Sequence, residues 1–340
     1  MKAVVTGGAG FVGCNTAARL IREGHQVVVL DNLSRRGSEK NLEWLKSIGA
    51  FHLARLDVRD AAGVESFFRE EKGIDAVFHF AAQVAVTTSI TEPREDMEIN
   101  IQGTFNVLEG IRKSASRPFL LYTSTNKVYG KMADVPVVEE AERYRFAGLA
   151  GGVAEDRPLD FYSPYGCSKG TADQYVRDYH RIYGLDTCVF RMSCIYGPRQ
   201  FGIEDQGWVA WFLIATELGR PITIYGDGKQ VRDILYVEDL VEAYLRAWKN
   251  RATTAGQIFN IGGGPDNQMS LRELVAELER LFGRKIPLAY GDWRAGDQPI
   301  YVSSIAKISA ALDWTPKVGK LEGVRRLHEW VHANRGLFEV

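Results

Sequence analysis

The chain has 340 residues, of which 45% are hydrophobic and 25% are charged, and its formal net charge is -1. This length exceeds the usual size of a single hydrophobic core, so we expect one large α/β unit with a smaller lobe, or two domains. The charge provides no basic field for nucleic acid, and no apolar run is long enough to span a bilayer, so we expect no nucleic-acid partner and no membrane association.

The first residues and the cysteines bear on the cellular compartment. The start of the chain, "MKAVVTGGAG", contains an apolar run that is too short for a signal peptide. The four cysteines, at positions 14, 167, 188 and 194, show neither C-x-x-C spacing nor a paired framework, and this usage suits a reducing compartment. We therefore expect a cytoplasmic protein whose cysteines are buried thiols.

Short apolar runs alternate with longer amphipathic segments from residue 2 to about 125. The predicted strands are "AVVT", "QVVVLD", "FHLARLD", "IDAVFHFAA" and "PFLLYTS", and the predicted helices between them cover 11–23, 38–48, 61–71 and 95–113. This alternation predicts an α/β fold with a Rossmann-like, doubly wound parallel sheet. Such sheets bind ligands beyond the carboxyl ends of their strands, so the candidate functional residues follow each apolar run.

The remaining sequence predicts a more mixed region. Residues 131–161 are polar, with glycine, proline and mixed charges, and predict a long surface excursion suited to a lid. A helix is expected at 166–183, and "DTCVFRMSCIYG" is expected to form one buried strand. Later elements are predicted in this order: a strand at "PITIYG", a helix at 238–249, a strand at "IFNIGGG", a helix at 270–282 and a helix near 320–333.

Glycines mark the turn between the first strand and the first helix. Gly7, Gly10 and Gly13 in "TGGAGFVG" directly follow that strand. Glycines there let the backbone approach a pyrophosphate, whose charge the helix N-terminus favours. Asp31 ends the second strand close to the roughly 20-residue spacing expected for a carboxylate that binds ribose hydroxyls. The pattern predicts dinucleotide binding, and the carboxylate favours NAD over NADP because it repels a 2′-phosphate.

Further side chains near the strand ends extend the predicted cofactor site. Arg35 and Arg36 leave two interpretations open, a phosphate contact or a solvated loop. Asp57 ends the third strand and is placed to accept a hydrogen bond from the adenine amino group. The complete predicted cofactor set is Gly7, Gly10, Phe11, Val12, Gly13, Asp31, Asn32, Ser34, Arg35, Asp57, Val58, Ala81, Ala82, Gln83, Asn100, Thr123, Tyr165, Lys169 and Met192.

A tyrosine and a lysine form the predicted catalytic pair. Tyr165 and Lys169 in "SPYGCSKG" lie on one face of a predicted helix. This spacing also fits a packed tyrosine beside a surface lysine, but the strand end "TSTNKVYG" adds Thr125. A phenol, with a reference pKa of about 10, becomes a usable base when an ammonium and a positive nicotinamide ring stabilise its phenolate. Thr125 can then hold the substrate oxygen, which predicts hydride transfer at a carbinol.

Together these motifs resemble the extended short-chain dehydrogenase/reductase family, which contains the NAD-dependent nucleotide-sugar epimerases and dehydratases. The strings "YGPRQ", "RDILYVEDL" and "FNIGGG" also fall in that family's order, and the resemblance runs from residue 2 to about 330. It implies that Thr125, Tyr165 and Lys169 are catalytic, that Asn100 supports the active-site helices, and that the protein forms a homo-oligomer, a dimer or a tetramer.

The resemblance also implies a domain organisation. We assign 1–190 to an NAD-binding Rossmann domain that carries the excursion 131–161. We assign 191–340 mainly to a smaller C-terminal substrate-binding lobe, partly interleaved with the Rossmann domain.

Two positions after the threonine argue against one branch of the family. Hexose 4,6-dehydratases carry an Asp-Glu pair there because elimination of water needs an acid and a base besides the tyrosine, whereas this chain has Asn126 and Lys127. We therefore expect no dehydration. Cys194 lies where relatives often place a substrate-binding Asn or Ser, and we interpret it as a substrate contact and not as a nucleophile.

Longer strings resemble a group within the family, the CDP-tyvelose 2-epimerases, also called CDP-paratose 2-epimerases. They include "STNKVYG", "SPYGCSKGTADQY", "RQFGIEDQGWVAWF" and "GKQVRD". This resemblance implies reversible inversion at C2 of a CDP-linked hexose through an enzyme-held 2-keto sugar. The implied substrate contacts are Gln83, Thr125, Asn126, Lys127, Cys194, Arg199, Gln200, Arg232 and Arg294. For Arg232 and Arg294, expected on the diphosphate, an ordinary surface ion pair is the other interpretation.

Two other functions stay open on the sequence. A 4-epimerase acting on a UDP-sugar would use the same three catalytic residues. A dinucleotide-sensing regulator would share the fold, but such proteins commonly lack the tyrosine or the lysine. The six histidines show no metal-ligand spacing, so we expect no metal.

Overall fold

The computed structural model describes residues 1–339. Their contacts form two compact units, and the chain passes between the units more than once. The first unit contains Met1–Val128, Ser163–Arg191 and Val241–Phe259. The second unit contains Tyr129–Tyr162, Met192–Leu240 and the described residues from Asn260 onward.

Strands and helices alternate along most of the chain. The strands are β1 (Lys2–Thr6), β2 (Gln26–Asp31), β3 (His52–Arg55), β4 (Ala76–His79), β5 (Phe119–Thr125), β6 (Val137–Glu139), β7 (Tyr144–Phe146), β8 (Thr187–Met192), β9 (Cys194–Tyr196), β10 (Ile222–Tyr225), β11 (Val231–Tyr236), β12 (Ile258–Ile261), β13 (Gln268–Ser270), β14 (Leu288–Gly291) and β15 (Ile300–Tyr301). The helices are α1 (Phe11–Arg22), α2 (Ser38–Ile48), α3 (Ala61–Glu70), α4 (Val86–Thr91), α5 (Pro93–Met97), α6 (Gly103–Lys113), α7 (Pro164–Tyr183), α8 (Trp208–Glu217), α9 (Val237–Lys249), α10 (Arg251–Thr254), α11 (Leu271–Phe282), α12 (Ala306–Leu312) and α13 (Lys320–Ala333). A π-helical turn, Glu98–Gln102, joins α5 to α6.

The first unit is built on a seven-stranded sheet in the order β12-β8-β5-β4-β1-β2-β3. Strands β1 to β5 pair in parallel. The chain adds β2 and β3 on one side of β1 and then crosses to add β4 and β5 on the other. The loops after β1 and β4 therefore flank the point where the strand order reverses, which is where such sheets bind ligands. The predicted Rossmann-like fold class is confirmed.

Apolar residues of the strands and covering helices make the core of the first unit. The middle strands are buried on both faces, as their continuous apolar runs predict. A cluster of fully buried side chains, including Val4, Val77, Leu120 and Val176, joins the sheet to α3, α6 and α7. On helix α9, Tyr244 stacks on Phe80 with ring centroids 5.1 Å apart. The strand ends are thereby held rigidly enough to position polar groups.

The second unit has its own core and smaller sheets. Strand β11 pairs with β13, β15 and β9, and β10 pairs with β14. Helices α8, α11 and α13 enclose an apolar cluster that includes Phe212, Leu274 and Leu327. Helix α8 was not predicted, because it is apolar on nearly every side and shows no amphipathic period to read.

The excursion 131–161 contains secondary structure that the sequence analysis did not predict. Strands β6 and β7 form an antiparallel hairpin within it. The Tyr144 amide donates to the Lys229 carbonyl at 2.9 Å, and Arg143 pairs with Glu273. The hydroxyl of Ser270 donates to the Glu142 carbonyl at 2.8 Å. The excursion is thus bonded into the second unit.

The segment "DTCVFRMSCIYG" forms two strands and not the single strand that was predicted. Ser193 separates β8 from β9. Its amide donates to the Ile261 carbonyl at 2.9 Å, and its hydroxyl bonds the buried Asp233 carboxylate at 2.5 Å. These partners are distant in sequence, so the local apolar run could not show that β9 leaves the large sheet to pair with β11.

The cysteines and the helices bear on two further predictions. None of the four cysteines forms a disulfide within residues 1–339; Cys14 and Cys188 are buried, whereas Cys167 is exposed on α7. The expectation of buried thiols is therefore wrong for Cys167. Across residues 1–339, no helix has both the length and the apolar character needed to cross a membrane.

Candidate active site

The glycine turn after β1 is packed too tightly for side chains. Gly7 has φ +64°, and a Cβ there would lie 2.7 Å from the Ala81 amide nitrogen. A Cβ at Gly13 would lie 2.1 Å from the Gly7 carbonyl oxygen. Gly10 is the N-cap of α1 and supplies no side chain to its first-turn amides. The N-terminus of α1 therefore has uncapped amides and is lined by glycine backbone without side chains, an arrangement that fits an anionic pyrophosphate.

Asp31 is buried at the end of β2 and orders the loops on either side of it. Its carboxylate accepts hydrogen bonds from the amides of Ala9, at 2.9 Å, and Leu33, at 2.8 Å. Burial raises the pKa of this carboxyl group, and the two amide bonds oppose that rise. Asp31 therefore holds the glycine turn in place through the Ala9 amide. It also lies at the end of β2, where the sequence analysis predicted a contact with the ribose.

The predicted adenine contact, Asp57, is already saturated by the protein. Arg59 donates from Nε at 3.0 Å and from NH2 at 2.8 Å, and its amide donates at 2.9 Å. Asn32 donates to the same carboxylate at 2.8 Å, while the Asn32 carbonyl oxygen accepts from Ser34. The Arg59 guanidinium chiefly lowers the Asp57 pKa to about 2. An adenine amino group would have to share or replace one of these donors.

Three more predicted cofactor residues bond to the protein itself. The Gln83 amide donates to Asn100 Oδ1 at 3.0 Å, and Gln83 Nε2 donates to Asp96 Oδ1 at 2.8 Å. Asn100 Nδ2 lies within reach of the Gln83 carbonyl, Asp96 and the Ser168 hydroxyl. The Thr123 hydroxyl donates to the His79 carbonyl at 3.3 Å. Gln83 and Asn100 thus connect the loop after β4 to helix α7 by hydrogen bonds within the protein.

Thr125 and Tyr165 come together at the end of β5. The Thr125 hydroxyl lies close enough to the phenol of the partly buried Tyr165 to lower its pKa. Helix α7 begins next to this point, and its N-cap Ser163 accepts a hydrogen bond from the Gly166 amide at 3.1 Å. The Ser89 hydroxyl accepts from the Tyr165 amide at 3.1 Å. The hydroxyls of Ser163 and Ser89 thus accept hydrogen bonds from two amides in the first turn of α7 and hold Tyr165 next to the end of β5.

Lys169 lies one helical turn after Tyr165 and is 3% exposed. Its ammonium nitrogen lies 4.4 Å from the centroid of the Tyr122 ring, a contact that stabilises a cation. Burial lowers the lysine pKa to about 7, while Asp96 and Asp173 act to raise it. The alternative of a surface lysine beside a packed tyrosine does not hold, because the lysine is buried.

The groups of the protein itself raise the pKa of the Tyr165 phenol. Burial raises the Tyr165 pKa to about 12, and Asp96 raises it further, whereas the nearby Thr125 hydroxyl and the charge of Arg35 lower it. The protein's own cations therefore do not overcome the desolvation of the phenolate. The expected lowering depends on the positive charge of a nicotinamide ring.

The positions that replace the dehydratase acids also lie in the first unit. Asn126 is buried, and its Oδ1 accepts from the Thr125 hydroxyl at 3.3 Å. The Lys127 amide donates to the Thr125 hydroxyl at 3.3 Å. Neither side chain is a carboxylic acid, so the strand end offers a hydroxyl and an amide to a substrate oxygen.

The other predicted substrate residues belong to the second unit, where both arginines expected on a diphosphate have acidic partners. Arg232 bonds Asp297 at 2.7 Å. Arg294 pairs with Asp205 at 3.1 Å and lies 3.8 Å above the Tyr225 ring. The remaining members of this set are Cys194, Arg199 and Gln200, and the predicted cofactor residue Met192 lies in the same unit.

Two of these residues have notable surroundings. Arg199 has φ +70° and lies over the Trp330 ring at 5.6 Å. Burial raises the pKa of the Cys194 thiol to about 12. A thiol with that pKa is a poor nucleophile near neutral pH, which agrees with its interpretation as a contact.

Three residues of the site were missed by the sequence analysis. Asp96, Ser168 and Tyr122 all contact or surround the catalytic pair. Ser168 precedes Lys169 and could have been noticed by position. Asp96 and Tyr122 carried no local signal, since their roles depend on the packing of α5 and β5 against α7.

The histidine in the sheet is a packed residue. His79 bonds Thr6 at 2.6 Å and Thr104 at 3.1 Å. Burial lowers its pKa to about 3, so the ring is neutral. Within residues 1–339, no group of three or more His, Cys, Asp or Glu side chains is arranged to hold a metal ion.

Comparison with known proteins gives consistent matches. The model of the NAD dependent epimerase/dehydratase family matches residues 3–262. CDP-paratose 2-epimerase of Salmonella typhi is 44% identical over 338 residues, which cover 98% of this chain and 100% of that protein. UDP-glucose 4-epimerase of Mycolicibacterium smegmatis is 32% identical, with 97% and 98% covered. The structure of Thermus thermophilus UDP-glucose 4-epimerase in complex with NAD superposes with a TM-score of 0.83 at 33% identity, covering 98% of this chain and 100% of that one.

These matches confirm the family resemblance drawn from the glycine turn, the Ser/Thr strand end and the Tyr-x-x-x-Lys pair. They also confirm NAD as the cofactor and an enzyme of the nucleotide-sugar epimerase type.

Proposed function

This chain belongs to the NAD dependent epimerase/dehydratase family, and we propose that it inverts C2 of a CDP-linked hexose of the paratose and tyvelose type. The observation that carries this proposal is the 44% identity to the Salmonella typhi CDP-paratose 2-epimerase over nearly the whole of both chains. The grouping of Thr125, Tyr165 and Lys169 supports it, since this chemistry needs one proton shuttle and no second acid.

The first unit holds the residues that fit the cofactor. The backbone of Gly7, Gly10 and Gly13 leaves room for the pyrophosphate at the start of α1, and Asp31 lies where the ribose hydroxyls need an acceptor. NAD bound by these residues would supply a reversible hydride acceptor for the sugar carbon. The reaction has no net redox change, so the cofactor can stay bound throughout.

The protein's residues manage the proton. Thr125 holds the oxygen on C2, and the Tyr165 phenolate removes the proton from that oxygen while C2 gives up its hydride, which leaves a 2-keto sugar in the site. We assign Lys169, buried one helical turn after Tyr165, to the support of the phenolate, because a nearby positive charge favours the charged form of a phenol. After the sugar turns to present its other face, C2 regains the hydride on that face, Tyr165 returns the proton to the same oxygen and the epimer forms.

The sugar must turn without leaving, so the nucleotide has to act as a tether. Arg232 and Arg294 are our candidates for the diphosphate contacts, because a guanidinium matches phosphate oxygens in a bidentate manner. Their bonds to Asp297 and Asp205 show that each guanidinium is held in place before any ligand arrives. Diphosphate binding at either arginine would exchange or share that carboxylate partner.

A 4-epimerase acting on a UDP-sugar is the second candidate. The UDP-glucose 4-epimerase of Mycolicibacterium smegmatis also covers the chain, at 32% identity. Presenting C4 instead of C2 to the same residues would give that reaction. The higher identity to the 2-epimerase is what favours C2.

Incubation with CDP-paratose, CDP-glucose and UDP-glucose in separate reactions tests the function. We expect NMR to show inversion at C2 of a CDP-linked sugar and little conversion of UDP-glucose. A product inverted at C4, from either nucleotide, would contradict the proposal and favour the second candidate.

A further inference from the structure

Asp96, on α5, is a buried carboxylate that the reaction scheme does not use. It is 1% exposed. Its Oδ1 accepts hydrogen bonds from Gln83 Nε2 at 2.8 Å and from Asn100 Nδ2 at 3.1 Å. Its Oδ2 is buried and accepts no hydrogen bond of normal geometry from residues 1–339, although the nearby Ser168 hydroxyl acts to lower the Asp96 pKa. A buried carboxylate oxygen without a hydrogen-bond donor destabilises the folded protein unless a positive charge lies nearby.

Burial raises the Asp96 pKa, and the positive charge of Lys169 opposes that rise, so Lys169 is the cation in its surroundings. Helices α5 and α7 pack together, and Asn100 connects the two by bonding both Asp96 and the Ser168 hydroxyl, which precedes Lys169. Ser168 gives its own proton to the Tyr165 carbonyl at 3.2 Å. Hydrogen bonds thus run from the Asp96 carboxylate through Asn100 and Ser168 to the Tyr165 backbone, and Lys169 follows Ser168 on the same helix.

Asp173 also raises the Lys169 pKa, but it is engaged by a second cation, and the other titratable groups around Lys169 are neutral in the resting protein. Asp173, on α7, forms a bidentate ion pair with the buried Arg191 at 2.9 and 3.1 Å. His79, on β4, is neutral because burial lowers its pKa to about 3. Tyr122, on β5, has a pKa raised well above its usual value by burial and offers its neutral ring. Tyr165 is the remaining group, and its phenolate exists only during the reaction.

We propose that Asp96 is a positioning residue that keeps Lys169 in its ammonium form inside the closed core of the first unit. The inference deepens the proposed function, on which the role of Lys169 in the reaction rests. Asp96 acts through the lysine and does not touch the reacting atoms. Asn100 and Gln83 hold the carboxylate in place, so the charge stays at a fixed position.

The sign of the effect follows from the charges. Burial lowers the Lys169 pKa to about 7, and the negative charge of Asp96 opposes that fall. Removing the charge lowers the lysine pKa further, so the amine becomes neutral at a pH where it is now charged. The same removal lowers the Tyr165 pKa, because Asp96 raises it. Both limbs of the pH profile should therefore move to lower pH.

Asp96→Asn tests the proposal, with Glu95→Gln as the matched control. The asparagine carbonyl can still accept from Gln83 and Asn100, so the change removes charge and little else. Glu95 is exposed and lies on the same helix. In the NAD-loaded protein, carbon-13 NMR at lysine Cε follows the titration of Lys169, whose signal is identified by its loss in Lys169→Arg. We expect the Asp96→Asn midpoint to fall by about one pH unit or more and the Glu95→Gln midpoint to stay unchanged.

The alkaline limb of the kcat profile should shift in the same direction as the lysine midpoint. An unchanged Lys169 midpoint in a folded Asp96→Asn protein would overturn the proposal, whatever reaction the enzyme performs. If that variant does not fold, carboxyl carbon-13 NMR of the unmodified holoprotein decides. An ionised Asp96 at pH 7 supports the proposal, and a protonated Asp96 overturns it. Because the NMR titrations need no substrate, their failure can be told apart from a failure of the proposed function.

Discussion

Replacing Tyr165 with phenylalanine is expected to lower kcat by about 10²- to 10⁴-fold while NAD stays bound. The change removes only the phenol oxygen, which lies close to the Thr125 hydroxyl and is the proton acceptor in our scheme. The ring, the hydroxyl caps at Ser89 and Ser163, and the buried Lys169 stay in place. Steady-state rates and NAD content of the purified protein measure the two effects separately.

Tyr175→Phe is the matched control for that experiment. Tyr175 lies on the same helix, is 43% exposed, and contacts Phe105 through its ring, which the change retains. We expect its activity to equal that of the unmodified protein. Undiminished turnover in Tyr165→Phe would mean that another group takes the proton.

Gly13→Ala is expected to damage both the fold of the first unit and its hold on NAD. The added Cβ would lie 2.1 Å from the Gly7 carbonyl oxygen and 2.7 Å from the Gly8 Cα, so the backbone has to move. Overpacking of this kind costs about 3 kcal/mol or more of the free energy of unfolding. Because the displaced turn is the pyrophosphate cradle, NAD affinity should fall by more than about tenfold.

Gly151→Ala is the control, because a Cβ there meets nothing within 4 Å. Denaturant unfolding and NAD titration of the two variants give the comparison. Equal stability and equal NAD affinity of Gly13→Ala and Gly151→Ala would contradict the role assigned to the glycine turn.

The sheet of the first unit was predictable because its information is local. Strands β1, β2, β4 and β5 contain continuous apolar runs, and Gly7 and Gly13 lie in the turn and first helical turn that follow β1. The break at Ser193 was not predictable, since it depends on Ile261 and Asp233, which lie far along the chain. The same applies to the hairpin β6–β7, which is bonded to residues beyond 225.

The electrostatics of the site could be predicted only in part. The residue types of Thr125, Tyr165 and Lys169 show which groups exchange a proton, but burial decides their pKa values. Burial depends on how α5, α7 and β5 pack, so the raised Tyr165 pKa and the lowered Lys169 pKa had no sequence signal. The individual site residues, the domain boundaries and the homo-oligomer stay predictions.

The path of the hydrogen on C2 tests the central claim most directly. CDP-paratose carrying deuterium at C2 is converted by the NAD-loaded enzyme in ordinary water, and the product is examined by NMR and mass spectrometry. Since the hydride that leaves C2 returns to C2 and does not exchange with water in our scheme, we predict that the C2 epimer retains its deuterium. Replacement of the label by solvent hydrogen during conversion would contradict the account.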